Sequence, residues 1–185
     1  MHLLAAFFNF QSIRRAPKGV AHYNLGHPLF KMMLDSRMIY SCGYFKKTTD
    51  LEKAQENKLK LCCEKLKLKP GETLLDIGCG WGGLARYAAN HYDVSVVGLT
   101  LSKEQYDYAS KICEGLAVEI RHEDYRALNQ RFDKIVSVGM FEHVGHLNYS
   151  TFMNTIHQNL ADNGLFLLHT IGVNETAGLA DAWIR

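Results

Sequence analysis

The sequence predicts an α/β fold in which a parallel sheet carries helices on both faces. From Gly71 onwards, short apolar segments alternate with amphipathic segments, which is typical of repeated β-α-β units. A glycine-rich run at residues 76–83 (DIGCGWGG) lies where the first of these strands would turn into a helix. Ligands collect at the carboxyl ends of such strands. The run therefore marks the expected binding site.

The strands and helices follow from local patterns along the chain. Pro28 is well placed to open a short helix that ends at Met33, and Asp50 to cap a helix that Pro70-Gly71 would stop. The strand candidates are residues 73–77, 94–99, 117–121, 132–138 and 165–171. The later helix candidates are residues 82–91, 103–113 and 149–160.

The helix after Asp50 is rich in lysine. A solvated helix face is the favoured interpretation, and contact with anionic lipid is the alternative. The lysines concerned are Lys58, Lys60, Lys65, Lys67 and Lys69.

Composition limits the class of protein. With 185 residues, 47% of them hydrophobic, the chain has the size of one domain with a substantial core. A formal net charge of +2 gives no strong field, so no nucleic acid partner is expected. Five cysteines without a C-x-x-C pair favour a reducing cytoplasm and argue against a metal site. The apolar residues 1–8 lack a basic start and fall short of the roughly 20 residues that span a bilayer.

The glycine run is compatible with two cofactors. Gly78, Gly80 and Gly83 satisfy the G-x-G-x-x-G pattern of nicotinamide dinucleotide sites. However, Asp76 would repel a pyrophosphate, whereas its charge attracts the cationic S-adenosylmethionine. Residues 98–102 also offer no carboxylate for the ribose. S-adenosylmethionine is therefore favoured, with Thr100 or Gln105 left to bind the ribose.

Six motifs together resemble the cyclopropane-fatty-acyl-phospholipid synthases and their mycolic-acid-modifying relatives. The resemblance covers residues 22–183. The motifs are residues 22–26 (HYNLG), 40–45 (YSCGYF), 76–83, 98–102 (GLTLS), 140–145 (MFEHVG) and 168–172 (LHTIG).

This resemblance implies a class I S-adenosylmethionine-dependent methyltransferase fold and a defined reaction. A methylene passes from S-adenosylmethionine to a cis double bond of a phospholipid acyl chain, and a cyclopropane ring closes. The resemblance also implies a cofactor site. Its members are Tyr40, Ser41, Asp76, Gly78, Gly80, Thr100, Gln105, Asp124 and Tyr125. From the residues alone, Asp124 is either an acceptor for the adenine amino group or a surface residue that begins a turn.

The resemblance further implies that bicarbonate takes the proton released from the reacting carbon. Residues matching Cys42, Glu142, His169 and the backbone of Ile171 hold this ion in relatives. An alkene that attacks a methyl sulfonium leaves a carbocation, which needs a base and protection from water. Tyr44, Phe45 and Phe141 are candidates to stabilise that cation.

Ordinary structural roles compete with these assignments. A histidine in an apolar strand is usually a buried core residue, yet the strand-end positions of His169 and Glu142 favour a site role. Cys42 resembles a small buried hydrophobe more than a nucleophile, and we expect its backbone to matter most.

The expected organisation is a connector at residues 1–21, a helical lid and acyl-channel segment at 22–70, and the cofactor-binding core at 71–185. The core is expected to be incomplete, since such sheets usually add two more strands and the family has a downstream tyrosine at the bicarbonate site. The expected partner is unsaturated phospholipid, reached peripherally at the inner face of the membrane from the cytoplasm. The sequence does not decide whether the protein forms a homodimer. The alternatives are a cofactor-binding fragment without activity, a methyltransferase for another lipid and a nicotinamide-binding domain.

Overall fold

The computed structural model of the chain describes residues 27–172. Helices α1 and α2 precede an alternating series of strands and helices. The helices are α1 (His27–Met33), α2 (Leu51–Leu66), α3 (Gly83–Tyr92), α4 (Lys103–Ile112) and α5 (Tyr149–Asn159). The strands are β1 (Thr73–Ile77), β2 (Ser95–Thr100), β3 (Val118–His122), β4 (Phe132–Val138) and β5 (Leu160–His169). Short 3₁₀ turns occupy Tyr125–Ala127, Phe141–His143 and His146–Asn148.

The strands form one parallel sheet in the order β3-β2-β1-β4-β5. In the centre of the sheet, Asp76 of β1 lies opposite Gly98 of β2 and Val136 of β4. The order reverses between β1 and β4, where crevices form at the carboxyl ends of the strands. The predicted parallel α/β sheet is confirmed.

Helices cover both faces of the sheet. Leu74 and Leu75 are both fully buried but belong to different core clusters, since successive side chains of a strand point to opposite faces. The cluster around Leu74 includes buried residues of α2 and α3, and the cluster around Leu75 includes Phe152 and Ile156 of α5. Asp76 has the same strand parity as Leu74, which places its side chain on the face covered by α2 and α3.

The prediction for the last strand was wrong at both ends. Strand β5 begins at Leu160 rather than at residue 165, and it ends at His169 rather than at residue 171. Leu160 pairs with Phe132, and the register then shifts so that Leu165 pairs with Lys134. The residues around this shift, 161–164 (ADNG), have the composition of a turn, which is why the sequence did not indicate a strand there. Strands β2 and β3 each lie one residue later than predicted, as does α3. Helices α4 and α5 begin at the predicted residues and end one residue earlier than predicted.

Helix α2 begins as predicted but ends earlier. The Asp50 side chain accepts a hydrogen bond from the Lys53 backbone N–H at 2.8 Å, so its role as N-cap is confirmed. The helix ends at Leu66 because Lys67 adopts a left-handed conformation with φ 53°, and its N–H donates to the Cys63 and Glu64 carbonyls. The prediction that Pro70-Gly71 stops this helix was therefore wrong.

The lysine face of α2 is also less uniform than predicted. Lys58 is only 4% exposed and points into the protein, whereas Lys60 and Lys65 are exposed to solvent. The predicted solvated face is therefore wrong for Lys58.

The segment that precedes α2 is held over the sheet by polar contacts. The Asp35 carboxylate accepts hydrogen bonds from the backbone N–H groups of Ile39 at 2.7 Å and Arg37 at 3.3 Å. The Gln55 amide on α2 donates to the Ser41 carbonyl at 2.8 Å. These bonds fix residues 39–41 above the carboxyl end of β1.

The predicted connector at residues 1–21 lies outside the described residues. None of the helices between residues 27 and 172 combines the length and the apolar character that a membrane span requires.

The left-handed C-cap generates a stability prediction. Replacing Lys67 by Gly should raise the free energy of unfolding by about 1 kcal/mol, because glycine adopts positive φ without the steric cost of a Cβ atom. Urea unfolding followed by circular dichroism measures the change. Lys65→Gly in the last turn of the same helix is the matched control and should lower the free energy by about 1 kcal/mol. A destabilised Lys67→Gly protein would contradict the assigned cap.

Candidate active site

The glycine run forms the turn between β1 and α3. Gly78, Gly80 and Gly82 all have positive φ, at 83°, 56° and 84°. The backbone N–H groups of Gly78 and Cys79 donate to the Leu99 carbonyl at 3.0 and 2.9 Å, which ties the turn to the end of β2. A Cβ atom added at Gly80 would meet nothing within 4 Å. The backbone at Gly80 therefore faces open space that a ligand can approach closely.

A partly open cleft lies beside this turn. One wall is the end of β1 with the glycine run, and the other is formed by residues 38–41 and α2. The polar side chains that line it are Tyr40, Ser41, Lys58, Asp76, Trp81 and Gln105. The sequence-predicted residues Tyr40, Ser41, Asp76, Gly78, Gly80 and Gln105 are thus brought together around one cleft.

Asp76 is a strongly perturbed acidic group in the cleft. Its side chain is 2% exposed, and its Oδ2 atom has no hydrogen-bond donor within the part of the chain that the structure describes. Burial raises the pKa of this carboxyl group from 3.8 to about 7. The indole Nε1 of Trp81 in the same wall is likewise buried without an acceptor among residues 27–172. Buried polar groups of this kind indicate a ligand-binding surface.

Thr100 and Gln105 are close to one another at the end of β2 and the start of α4. The Thr100 hydroxyl donates to the Gln105 Oε1 atom at 2.8 Å, and both side chains are buried. Ser102 lies between them and caps α4 by accepting a hydrogen bond from the Gln105 backbone N–H. The end of β2 and the start of α4 thus present a hydroxyl and an amide group. Neither supplies the carboxylate that dinucleotide-binding folds carry at this position.

Asp124 and Tyr125 follow β3, and neither lines the cleft. The Asp124 carboxylate makes a two-point ion pair with the Arg126 guanidinium at 2.8 and 2.6 Å and caps the 3₁₀ turn. The Tyr125 ring is buried and packs edge-on against Phe152. These contacts give Asp124 a role in the turn, and an additional contact with adenine stays a prediction.

The four residues predicted around the reacting carbon form two contacting pairs. The Cys42 Sγ atom lies 3.8 Å from His169 Nε2, and the Glu142 Oε1 atom accepts a hydrogen bond from the Ile171 N–H at 2.7 Å. His169 is the last residue of β5, paired with Val138 of β4. Glu142 does not end β4 as the sequence suggested but lies in the following 3₁₀ turn.

The Cys42–His169 pair adjoins the cleft through neighbouring backbone. Ser41 lines the cleft and is followed directly by Cys42, while Gly139 lines the cleft and its N–H donates to the His169 carbonyl at 2.9 Å. The His169 Nδ1 atom is buried and has no partner within the described residues. An additional polar group can therefore bind at this histidine.

Lys58 is a site residue that the sequence analysis missed. Its Nζ atom donates to the Ser41 hydroxyl at 2.6 Å, and burial lowers its pKa from 10.5 to about 8. A signal was present in the sequence, because Ala54, Lys58 and Cys62 follow one another at intervals of four and all three are buried. Lys58 was assigned to the solvated face because it is a lysine, although its position on the helix aligns it with Ala54 and Cys62.

Comparisons with known proteins identify the family. The family described as "Mycolic acid cyclopropane synthetase" matches residues 10–185. The chain belongs to this family. It is 58% identical over 182 residues to the cyclopropane-fatty-acyl-phospholipid synthase of Escherichia coli K12, a match that covers 98% of this chain and 48% of that protein. It is 43% identical over 156 residues to cyclopropane mycolic acid synthase 3 of Mycobacterium tuberculosis, covering 82% and 54%. The chain thus spans about half the length of these relatives.

Solved structures place the fold in the class I S-adenosylmethionine-dependent methyltransferases, as predicted. The cyclopropane synthase MmaA2 from Mycobacterium tuberculosis matches with a TM-score of 0.80 at 42% identity, over 83% of this chain and 56% of that one. Mycolic acid cyclopropane synthase CmaA1, solved with SAH and CTAB, matches with a TM-score of 0.79 at 39% identity, over 82% and 55%.

The buried carboxyl group generates a prediction about pH and stability. Because the folded pKa of Asp76 is raised, the folded chain binds more protons than the unfolded chain between pH 3.8 and about 7. Stability falls as pH rises through this window. Asp76→Asn should remove that fall, so that the variant becomes more stable than the original chain by about 4 kcal/mol above pH 7. Urea unfolding at several pH values measures the difference.

The control for this experiment is Asp162→Asn, because Asp162 is an exposed carboxylate paired with Arg131. Its effect should stay below about 1 kcal/mol. A difference between Asp76→Asn and the original chain that is the same at every pH would refute the assigned burial of charge.

Proposed function

We propose that this chain forms the catalytic core of an enzyme that transfers a methylene from S-adenosylmethionine to a cis double bond of an unsaturated phospholipid acyl chain. The proposal rests chiefly on one observation. The cleft beside the glycine run adjoins the Cys42–His169 pair through Ser41 and Gly139, and Glu142 binds the backbone of Ile171, two residues beyond His169. The names of the relatives in Escherichia coli and Mycobacterium tuberculosis support this choice of reaction.

S-adenosylmethionine fits the cleft on grounds of charge and shape. The buried Asp76 carboxyl group gains a counter-charge from a cationic ligand, and the open space at Gly80 admits the ligand next to the backbone. A pyrophosphate would instead bring negative charge towards the same carboxylate. Tyr40 and Ser41 close the opposite wall. CmaA1, whose structure contains SAH, supports the same cofactor.

The paired residues suit the acceptor side of the reaction. Methylation of an alkene leaves a carbocation, which must be shielded from water until a proton is removed. Tyr44 and Phe45 lie on the segment that follows Cys42, and Phe141 stacks on Tyr149 with ring centroids 4.4 Å apart. Aromatic faces at these positions stabilise a cation without reacting with it.

We propose that bicarbonate, when bound, supplies the base for this proton. The site fits a small anion, because the buried His169 Nδ1 atom has no partner among residues 27–172. The Ile171 N–H, which donates to Glu142 Oε1 at 2.7 Å, lies two residues further along and would donate to the anion in exchange for that bond. Cys42 fixes the other side of the imidazole ring. Glu142 must share a proton with the anion, since two neighbouring negative charges repel.

Contact with the bilayer is part of the proposal. Large apolar side chains are exposed on α1 and on the segment that follows Cys42. They are Met32, Met33, Tyr44 and Phe45, and Met32 is 81% exposed. Such residues suit peripheral insertion into the inner face of a membrane, where an acyl chain can be drawn to the site. A homodimer stays a prediction.

The reaction is tested with the purified chain, S-adenosylmethionine and vesicles of cis-unsaturated phosphatidylethanolamine. Mass spectrometry of the acyl chains should reveal species heavier by one methylene, and vesicles of saturated lipid should yield none. Removing dissolved carbon dioxide should lower the rate, and added bicarbonate should restore it. Absence of product from unsaturated vesicles, with S-adenosylhomocysteine still bound, would overturn the proposed acceptor in favour of a cofactor-binding fragment.

Two variants separate the roles of the paired residues. Glu142→Gln should lower product formation by at least about 100-fold, because the amide cannot share a proton with the anion. Cys42→Ser should retain activity within about tenfold, because a hydroxyl still contacts the imidazole and the reaction needs no thiolate. Thermal unfolding confirms that both variants are folded. Complete loss of activity in a folded Cys42→Ser protein would show that the thiol itself takes part.

A further inference from the structure

Lys58 is a buried cation that has no ion-pair partner among residues 27–172. Its side chain is 4% exposed, and its one hydrogen bond within residues 27–172 goes to the neutral Ser41 hydroxyl at 2.6 Å. No carboxylate oxygen of the described residues lies within 4.0 Å of its Nζ atom. A buried ammonium group is costly unless it is paired, and two of its three N–H donors remain available. The fold therefore keeps an anion-binding group in this position.

The buried cation and the buried carboxylate line the same cleft. Lys58 enters from α2 and Asp76 from β1, and Cys62 lies close enough to both that its pKa responds to each. Burial raises the Cys62 pKa, Lys58 lowers it and Asp76 raises it further. Asp76 Oδ2 also lacks a partner among the described residues. The cleft thus offers one positive and one negative group, as a zwitterionic amino acid requires.

We propose that Lys58, together with the Ser41 hydroxyl, binds the α-carboxylate of S-adenosylmethionine while Asp76 binds its α-ammonium group. This assignment rests on the proposed function, and it adds a residue that recognises the amino-acid end of the cofactor. The pair Lys58–Ser41 then discriminates for ligands that carry the carboxylate. The glycines of the run, in contrast, accommodate the ligand by leaving open space next to the backbone at Gly80.

A purely structural role for Lys58 would change ligand affinity in a different way. If the ammonium group only holds Ser41 in place, its removal would weaken every ligand of the cleft to the same extent. If it binds the carboxylate, its removal would weaken only ligands that contain one. The comparison therefore requires two ligands that differ by the carboxylate alone. S-adenosylmethionine and decarboxylated S-adenosylmethionine meet this condition and share the sulfonium charge.

The experiment measures the Kd of both ligands by calorimetry for the original chain and for Lys58→Met. The original chain should bind decarboxylated S-adenosylmethionine roughly 10- to 100-fold more weakly than S-adenosylmethionine, the range expected for a charge-assisted hydrogen bond. Lys58→Met should lose a similar factor for S-adenosylmethionine and change less than about threefold for the decarboxylated ligand. Lys58→Gln, which keeps a donor without the charge, is the second variant if Lys58→Met does not fold.

Lys60→Met is the matched control, because Lys60 lies on the exposed side of the same helix and pairs with Glu64 at 3.6 Å. It should leave both Kd values unchanged. Equal weakening of the two ligands by Lys58→Met would overturn the carboxylate assignment. Failure of the original chain to bind either ligand would instead refute the proposed function, so the two failures are distinguishable.

Discussion

The buried carboxyl group at the end of β1 is the constraint around which the site is arranged. Asp76 belongs to the central strand of the sheet and is covered by α2 and α3, so water cannot solvate its charge. Its Oδ2 atom finds no donor among residues 27–172, and its pKa rises to about 7 as a result. The fold thus retains an energetic cost that a cationic ligand would remove.

The elements around this carboxyl group restrict what the ligand can be. The glycine run keeps side chains away from the end of β1, while α2 brings the Lys58 ammonium group to the opposite wall. Gln55, one turn earlier on α2, fixes the Ser41 carbonyl. The sheet order then sets His169 beside the same cleft, because β5 pairs with β4 next to the topological switch point. Cofactor and acceptor groups therefore meet through strand order rather than through sequence proximity.

Sequence patterns predicted the sheet and the residues of the site better than the borders of its elements. The alternation after Gly71 was sufficient for a parallel sheet, since buried strands and amphipathic helices leave distinct periods. The early start of β5 was missed because residues 161–164 (ADNG) resemble a turn. The end of α2 was missed because its left-handed cap is a lysine and not the glycine or asparagine that usually marks such a position. Lys58 was missed because burial of a cation depends on its neighbours in space. The Asp124–Arg126 ion pair was also not predicted, because the sequence pattern does not show which side chains meet in the folded protein.

The central claim is that the cleft beside Asp76 and the glycine run binds S-adenosylmethionine. The most direct measurement is a calorimetric titration of the purified chain with S-adenosylhomocysteine, with NAD titrated in parallel and Gly80→Val as the blocked variant. We expect saturable binding of S-adenosylhomocysteine, no binding of NAD at the same concentrations, and no binding to folded Gly80→Val, whose side chain fills the open space. Tight binding of NAD without any response to S-adenosylhomocysteine would contradict it.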